Sequence, residues 1–183
     1  MANAPRKSRV FWSLAALVVL ADVATKAVAV RALAPMYTPR DVLGEWVRLT
    51  LVYNKCAAFG LCIGPTWSSR WVFLVLTLVA LAILARLYRS TRAGDVLRTA
   101  ALGLVCGGAV GNLIDRVRHG AGVVDFMDLG VGDWRWPTFN VADIAVSVGA
   151  FLLAWALWGD EEAETAELRP AAVVGQPDTA SGA

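Results

Sequence analysis

Trp71-Val72-Phe73-Leu74-Val75-Leu76-Thr77-Leu78-Val79-Ala80-Leu81-Ala82-Ile83-Leu84-Ala85 runs without a charge, and Arg70, Arg86 and Arg89 bracket it. A helix needs about 20 residues to cross the ~30 Å hydrocarbon core of a bilayer, and arginine at a span end can reach back to the interface. The stretch therefore reads as a membrane-spanning helix, with bounds at 71–88. Three further segments approach the same length, at 10–33, 96–114 and 139–158. Of the 183 residues 57% are hydrophobic and 17% charged, against roughly 45–50% and about 25% in soluble domains. The fold class is thus an all-α membrane protein whose four transmembrane helices occupy residues 1–158. Trp12, Trp71, Trp155 and Trp158 fall near span ends, where interfacial aromatic residues collect.

The first span follows Arg6, Lys7 and Arg9, as a secretory signal would. Residues 10–33 nevertheless exceed the roughly 7–15 apolar residues of a cleavable signal, so the span is read as retained. Net charge is +2, and no nucleic-acid-binding motif is present, which removes nucleic acid as a partner. Cys56, Cys62 and Cys106 lack CxxC spacing or a companion histidine pair, which argues against a metal or redox site. No cofactor is expected. Cys106 reads as a small apolar helix residue, and pairing of Cys56 with Cys62 stays open. His119, in Arg118-His119-Gly120, reads as a turn residue.

The connection at 34–70 is too long for a simple turn. Within it residues 46–54 alternate like a strand, with a turn at Lys55 and Cys56, and residues 122–129 form a second extended candidate among Gly120, Gly122 and Gly130. Together they predict a small extracytoplasmic β-rich segment. From Gly159 the chain carries Asp160, Glu161, Glu162, Glu164 and Glu167, then Ala, Pro, Gly and Ser. Residues 159–183 are expected to be a disordered acidic cytoplasmic tail.

The polar residues inside the apolar runs carry the functional signal. Asp22 and Lys26 share one face of the first span, four residues apart. A charge at the bilayer centre costs at least ~2.5–3.5 kcal/mol, so the two either form an ion pair or serve a site. Asn112, Asp115 and Arg116 cluster within a turn at the end of the third span, where Arg116 can meet Asp115 or the terminal carbonyls. Asp125 projects from apolar Val123, Val124 and Phe126, and Asp143 lies about one turn into the fourth helix. Both fall at similar depth on the same side. Two carboxylates in a partly dry site cannot both ionise cheaply, so one keeps its proton while the other acts as base. Such a pair serves a protease or a proton- or ion-coupled carrier equally well. The lack of an internal repeat disfavours an inverted-repeat transporter.

Taken in order, Asp22-Val23-Ala24-Thr25-Lys26, residues 54–59, Gly111-Asn112-Leu113-Ile114-Asp115-Arg116, Val123-Val124-Asp125-Phe126 and Phe139-Asn140-Val141-Ala142-Asp143 resemble the lipoprotein signal peptidases, or signal peptidase II. The resemblance spans residues 10–158. It implies an aspartic endopeptidase of the bacterial inner membrane that removes signal peptides from diacylglyceryl-modified prolipoproteins, cleaving before the lipidated cysteine. Membrane lipid and globomycin-type inhibitors are its other implied partners. Asp125 and Asp143 then match the catalytic pair, and Asn112, Arg116 and Asn140 match site-supporting residues. Asn54, Asp22, Lys26 and Asp115 match structural or substrate-facing positions. The strand around Asp125 could take the extended signal peptide by edge pairing. Cys56 stands where the family pattern has glycine.

Orientation comes from the charges flanking the spans. Arg6, Lys7 and Arg9 precede the first, and Arg86, Arg89, Arg92 and Arg98 crowd the second-to-third connection, which places both termini in the cytoplasm. With the native cysteines replaced, an impermeant thiol reagent should label Gly132→Cys, and neither Ser90→Cys nor Ser181→Cys, in intact spheroplasts. Labelling at either serine position without permeabilisation would reverse the topology.

Overall fold

The computed structural model describes residues 4–55, 66–118 and 120–168. Cys56, Cys62, His119 and the rest of the motif at residues 54–59 beyond Lys55 lie outside them. Among the described residues four helices are long and apolar enough to span a bilayer: α1 (Ala4–Ala32), α2 (Thr66–Ser90), α3 (Val96–Arg118) and α4 (Val141–Leu168). Trp12, Trp71, Trp155 and Trp158 are all exposed on the outside of the bundle, the placement an aromatic belt requires.

Each helix overruns its sequence-derived bounds, and the largest excess is in α4. The spans expected at 10–33, 71–88, 96–114 and 139–158 are recognisable, but α4 continues through the acidic stretch to Leu168. Disorder was expected from residue 159. Glu161, Glu162, Ala163, Glu164, Ala166, Glu167 and Leu168 are strong helix formers, and a helix already nucleated in the bundle extends through them. Residues 169–183 lie outside the described part. At the same end of the bundle Asp95 caps α3, its side chain accepting the Arg98 N–H at 3.0 Å.

Small residues let α1, α3 and α4 approach closely. A Cβ on Gly103 would stand 2.9 Å from the Phe11 carbonyl, and one on Gly107 would stand 2.8 Å from the Ala15 carbonyl. One turn further, a Cβ on Gly111 would meet the Asp22 carboxylate at 2.6 Å. This stripe at four-residue spacing seats α1 on α3, while Gly108 and Gly149 seat α4 on the other side of α3. Phe11, Leu84 and Leu102 form a further buried cluster that joins α2 to the bundle.

At one end of the bundle sits an antiparallel sheet in the order β1-β2-β3-β4, formed by Arg40–Leu43, Val47–Asn54, Val123–Val131 and Trp134–Arg135. β2 and β3 are the two strands expected from alternation. In their register Val52 faces Asp125 and Asn54 faces Val123, with an irregularity between Leu49 and Val52. Leu51, Val124 and Phe126 pack under the sheet against Ala29 of α1 and Leu33 just after it, which anchors it to the first span. Asp128 fastens the sheet laterally, accepting from Thr50 at 2.9 Å and pairing with Arg135 at 2.7 Å.

Overpacking the glycine stripe should loosen this seat. Gly107→Val is expected to lower stability in detergent by about 1–3 kcal/mol, read as a lower thermal midpoint, whereas the same change at Gly132, which has open space around it, should act only through its positive φ. An unchanged midpoint for Gly107→Val would mean that α1 and α3 do not meet at this face.

Candidate active site

Chain reversal between α3 and α4 brings the polar residues together at the sheet end of the bundle. Asn140 precedes α4 as its cap. Its side-chain oxygen accepts the Asp143 N–H at 2.9 Å, and the Asp143 carboxylate accepts the Asn140 N–H at 3.1 Å. This reciprocal pair is a capping box with Asn and Asp in place of Ser and Glu. It fixes the Asp143 carboxylate at the positive end of α4. The other Asp143 oxygen accepts from the Asn112 amide at 2.8 Å.

The Asn140 amide nitrogen also turns toward β3, donating to Asp125 Oδ1 at 2.7 Å. The same nitrogen lies 3.1 Å from Asn112 Oδ1 and 3.3 Å from the Val124 carbonyl. From β2, the Asn54 amide donates to Asp125 Oδ2 at 3.1 Å. One fully buried asparagine therefore touches both carboxylates, and the adjacent strand completes the cradle of Asp125.

Asp125 is only 2% exposed. Burial raises its carboxyl, and the neighbouring Asp143 charge raises it further, while hydrogen bonds from Asn54 and Asn140 and the charge of Lys26 pull the other way. The balance stands at about 7. A carboxyl that holds its proton near neutrality beside a second carboxylate can serve as general acid while its partner takes a proton from water.

Behind this pair lies a buried ionic cluster. Lys26 Nζ is 2.7 Å from Asp22 Oδ2, 2.9 Å from Asp115 Oδ2 and 2.9 Å from Asn112 Oδ1. The contact to Asp22 is an ion pair, off the line of a directed hydrogen bond. The other Asp22 oxygen accepts the Ala142 N–H at 2.9 Å, and Asp115 Oδ2 accepts the Val124 N–H at 3.1 Å. Asp22 and Lys26 thus form both an ion pair and a support for the site. Asp115 pairs with Lys26, not with Arg116. The Arg116 guanidinium instead bends back to the Asn112 carbonyl at 3.4 Å and lies over the Phe73 ring at 5.7 Å, within electrostatic reach of Asp143, Asp125 and Asp115.

A cavity of about 450 Å³ opens over the pair. Asp125, Asp143, Asn54, Asn112 and Arg116 supply its polar wall, and Trp136, Ile144 and Val148 its apolar rim. Asn140, Asp22, Lys26 and Asp115 stand behind the wall. Ile144 and Val148 are also exposed on the outside of α4, so the rim reaches the lipid side. Sequence reasoning missed Ser147, Ile144 and Val148. Ser147 lies one helical turn beyond Asp143, and four-residue spacing from that aspartate was the signal available. It also expected a free edge on β3, which the structure lacks at that point. The Val124 N–H goes to Asp115, its carbonyl to Asn140, and the Phe126 N–H to the Phe139 carbonyl at 3.1 Å.

Residues 14–159 match the family described as "Signal peptidase (SPase) II". A lipoprotein signal peptidase of Nitratidesulfovibrio vulgaris is 43% identical over 154 residues, covering 83% of this chain and 91% of the relative. One from Syntrophotalea carbinolica is 43% identical over 152 residues, covering 83% of this chain and 92% of the relative. A solved bacterial membrane enzyme structure obtained by the in meso method superposes with a TM-score of 0.71 at 28% identity, covering 87% of this chain and 92% of that one. None of these is a carrier.

The shared electrostatics of the pair are open to spectroscopy. In infrared difference spectra the protonated-carboxyl stretch that Asp125→Asn removes should disappear with a midpoint near pH 7 as pH is raised. Asp143→Asn takes away a neighbouring negative charge, so that midpoint should fall. A midpoint that stays in place or rises would show that the two carboxyls do not sense each other.

Proposed function

Because the chain belongs to the signal peptidase II family, a multi-pass membrane peptidase that removes signal peptides from prolipoproteins, we propose that it does so as an aspartic endopeptidase with Asp125 and Asp143 as its catalytic pair. The observation that carries the reading is the single buried Asn140, which hydrogen-bonds to both carboxylates at the wall of a cavity open toward lipid.

In this mechanism a water held between the carboxyls attacks the scissile carbonyl carbon. The ionised aspartate takes the water proton while the protonated one donates to the carbonyl oxygen, giving a gem-diol. Collapse breaks the C–N bond as the nitrogen takes a proton. The products are a signal peptide ending in a carboxyl group and a new amine on the lipidated cysteine. Asn112 and Asn140 hold the carboxylates in place, and Asn54 orients Asp125 from the strand. The Arg116 guanidinium borders the cavity, where it can steady developing oxygen charge or the substrate backbone. The ionic cluster of Asp22, Lys26 and Asp115 positions these groups without meeting substrate.

The substrate is a diacylglyceryl-modified precursor, cut just before its lipidated cysteine. Its acyl chains stay in the bilayer while the peptide enters over Ile144 and Val148, so a cavity at a helix end suits it better than an aqueous cleft. With no free β3 edge beside Asp125, the peptide is held through the cavity wall and not as an added strand. Globomycin-type inhibitors would occupy the same cavity. The enzyme sits in the bacterial inner membrane with both termini cytoplasmic and the sheet and dyad outside, where the cleavage site of an exported lipoprotein arrives.

A gel-shift assay on a lipidated prolipoprotein tests the pair. Asp125→Asn and Asp143→Asn should each cut the rate by far more than tenfold, the ~1.4 kcal/mol below which a catalytic role is untenable. Asp115→Asn should act mainly on stability. Retention of a tenth of the wild-type rate or more by either dyad variant would refute the two-carboxylate mechanism.

A further inference from the structure

Arg31 and Arg118 occupy the last turns of α1 and α3. They face a second cleft, of about 260 Å³, that is separate from the dyad cavity. Both are exposed, and among the described residues neither makes a hydrogen bond or an ion pair. Lys26 and Asp115 form the cleft's floor, but their charges are spent on each other and on Asp22. That buried cluster holds one ammonium against two carboxylates, so the positive charge the cleft can offer a ligand is that of the two exposed guanidiniums.

We propose that this cleft binds the phosphodiester headgroup of an anionic glycerophospholipid, at a site distinct from that of the peptide substrate. Both arginines end membrane-spanning helices, which sets them at headgroup depth on the membrane face that carries the sheet. Below them Val23, Ala27, Val30 and Ile114 line an apolar wall on which an acyl chain can lie. Guanidinium is the side chain that best matches phosphate oxygens, because its fork of N–H donors is planar and always charged. The diacylglyceryl group of a lipoprotein bears no charge and would leave both arginines unpaired. A phosphodiester on two acyl chains satisfies the arginines and the apolar wall together.

The test is lipid titration of the purified full-length protein, read by native mass spectrometry, with phosphatidylglycerol and phosphatidylcholine of matched chains. The wild type should retain one phosphatidylglycerol at least about tenfold more tightly than phosphatidylcholine. R31Q/R118Q should lose that preference, and R86Q/R89Q, at the other end of the bundle, should keep it. Millimolar inorganic phosphate should not displace the lipid. Equal binding of the two lipids, a preference that survives R31Q/R118Q, or displacement by inorganic phosphate would each overturn the proposal. Should R31Q/R118Q fail to fold, a photoactivatable phosphatidylglycerol decides on the wild type. Cross-links at residues 23–31 and 114–118 support the site, and cross-links confined elsewhere refute it.

Discussion

One ammonium group, on Lys26, holds the sheet end of this protein together. It lies within 2.9 Å of three oxygens, donating to Asn112 and pairing by charge with Asp22 and Asp115. Each acceptor is itself committed to another element. Asp22 binds the first turn of α4, Asp115 the backbone of β3, and Asn112 the carboxylate of Asp143. Two charges taken from water are costly, and a low-dielectric interior repays that only when geometry and hydrogen bonding are nearly complete. Here the backbone N–H groups of Ala142 and Val124 and the Asn112 amide oxygen supply that bonding, and Asp22 Oδ2 is held by the Lys26 charge alone. Removing the cation would leave two carboxylates at the interface of α1, α3, α4 and the sheet.

Much of the architecture was readable from hydrophobic run length, because the bilayer imposes a minimum that few soluble segments reach. The strands at 46–54 and 122–129 were readable from alternation, and they appear as Val47–Asn54 and Val123–Val131. β1 and β4 were not. Arg40–Leu43 is exposed throughout and Trp134–Arg135 is two residues long, so neither carries a period and each exists only through its partner strand. The end of α4 was misjudged because acidity was read as disorder, although glutamate and alanine propagate a helix once it is nucleated.

The candidate site shows the same division. Asp125 and Asp143 stood out because carboxylates flanked by apolar residues are conspicuous, and the resemblance matched them to a catalytic pair. Their wiring did not stand out. Asp115 precedes Arg116, and the sequence left Arg116 to meet either Asp115 or the terminal carbonyls, of which it takes the Asn112 carbonyl. Successive residues on a helix point about 100° apart, and Asp115 turns to Lys26 on α1. That Asp22 caps a helix beginning at residue 141 is a relation across 120 positions, which no local pattern encodes. Nor could alternation show that the outer edge of β3 is closed by two side chains and the Phe139 backbone.

The four-residue spacing of Asp22 and Lys26 bears on biosynthesis. The first span is synthesised and meets the membrane before α3 and α4 exist, so Asp115, Asn112 and the start of α4 cannot yet receive its charges. At that spacing the helix can carry acid and base into the bilayer as a self-neutralised couple, with both partners supplied by one turn of its own backbone. When the later spans arrive, Lys26 extends its contacts to Asp115 and Asn112 without giving up Asp22. The couple that stiffens the finished enzyme is thus also one that lets its first segment leave the translocon.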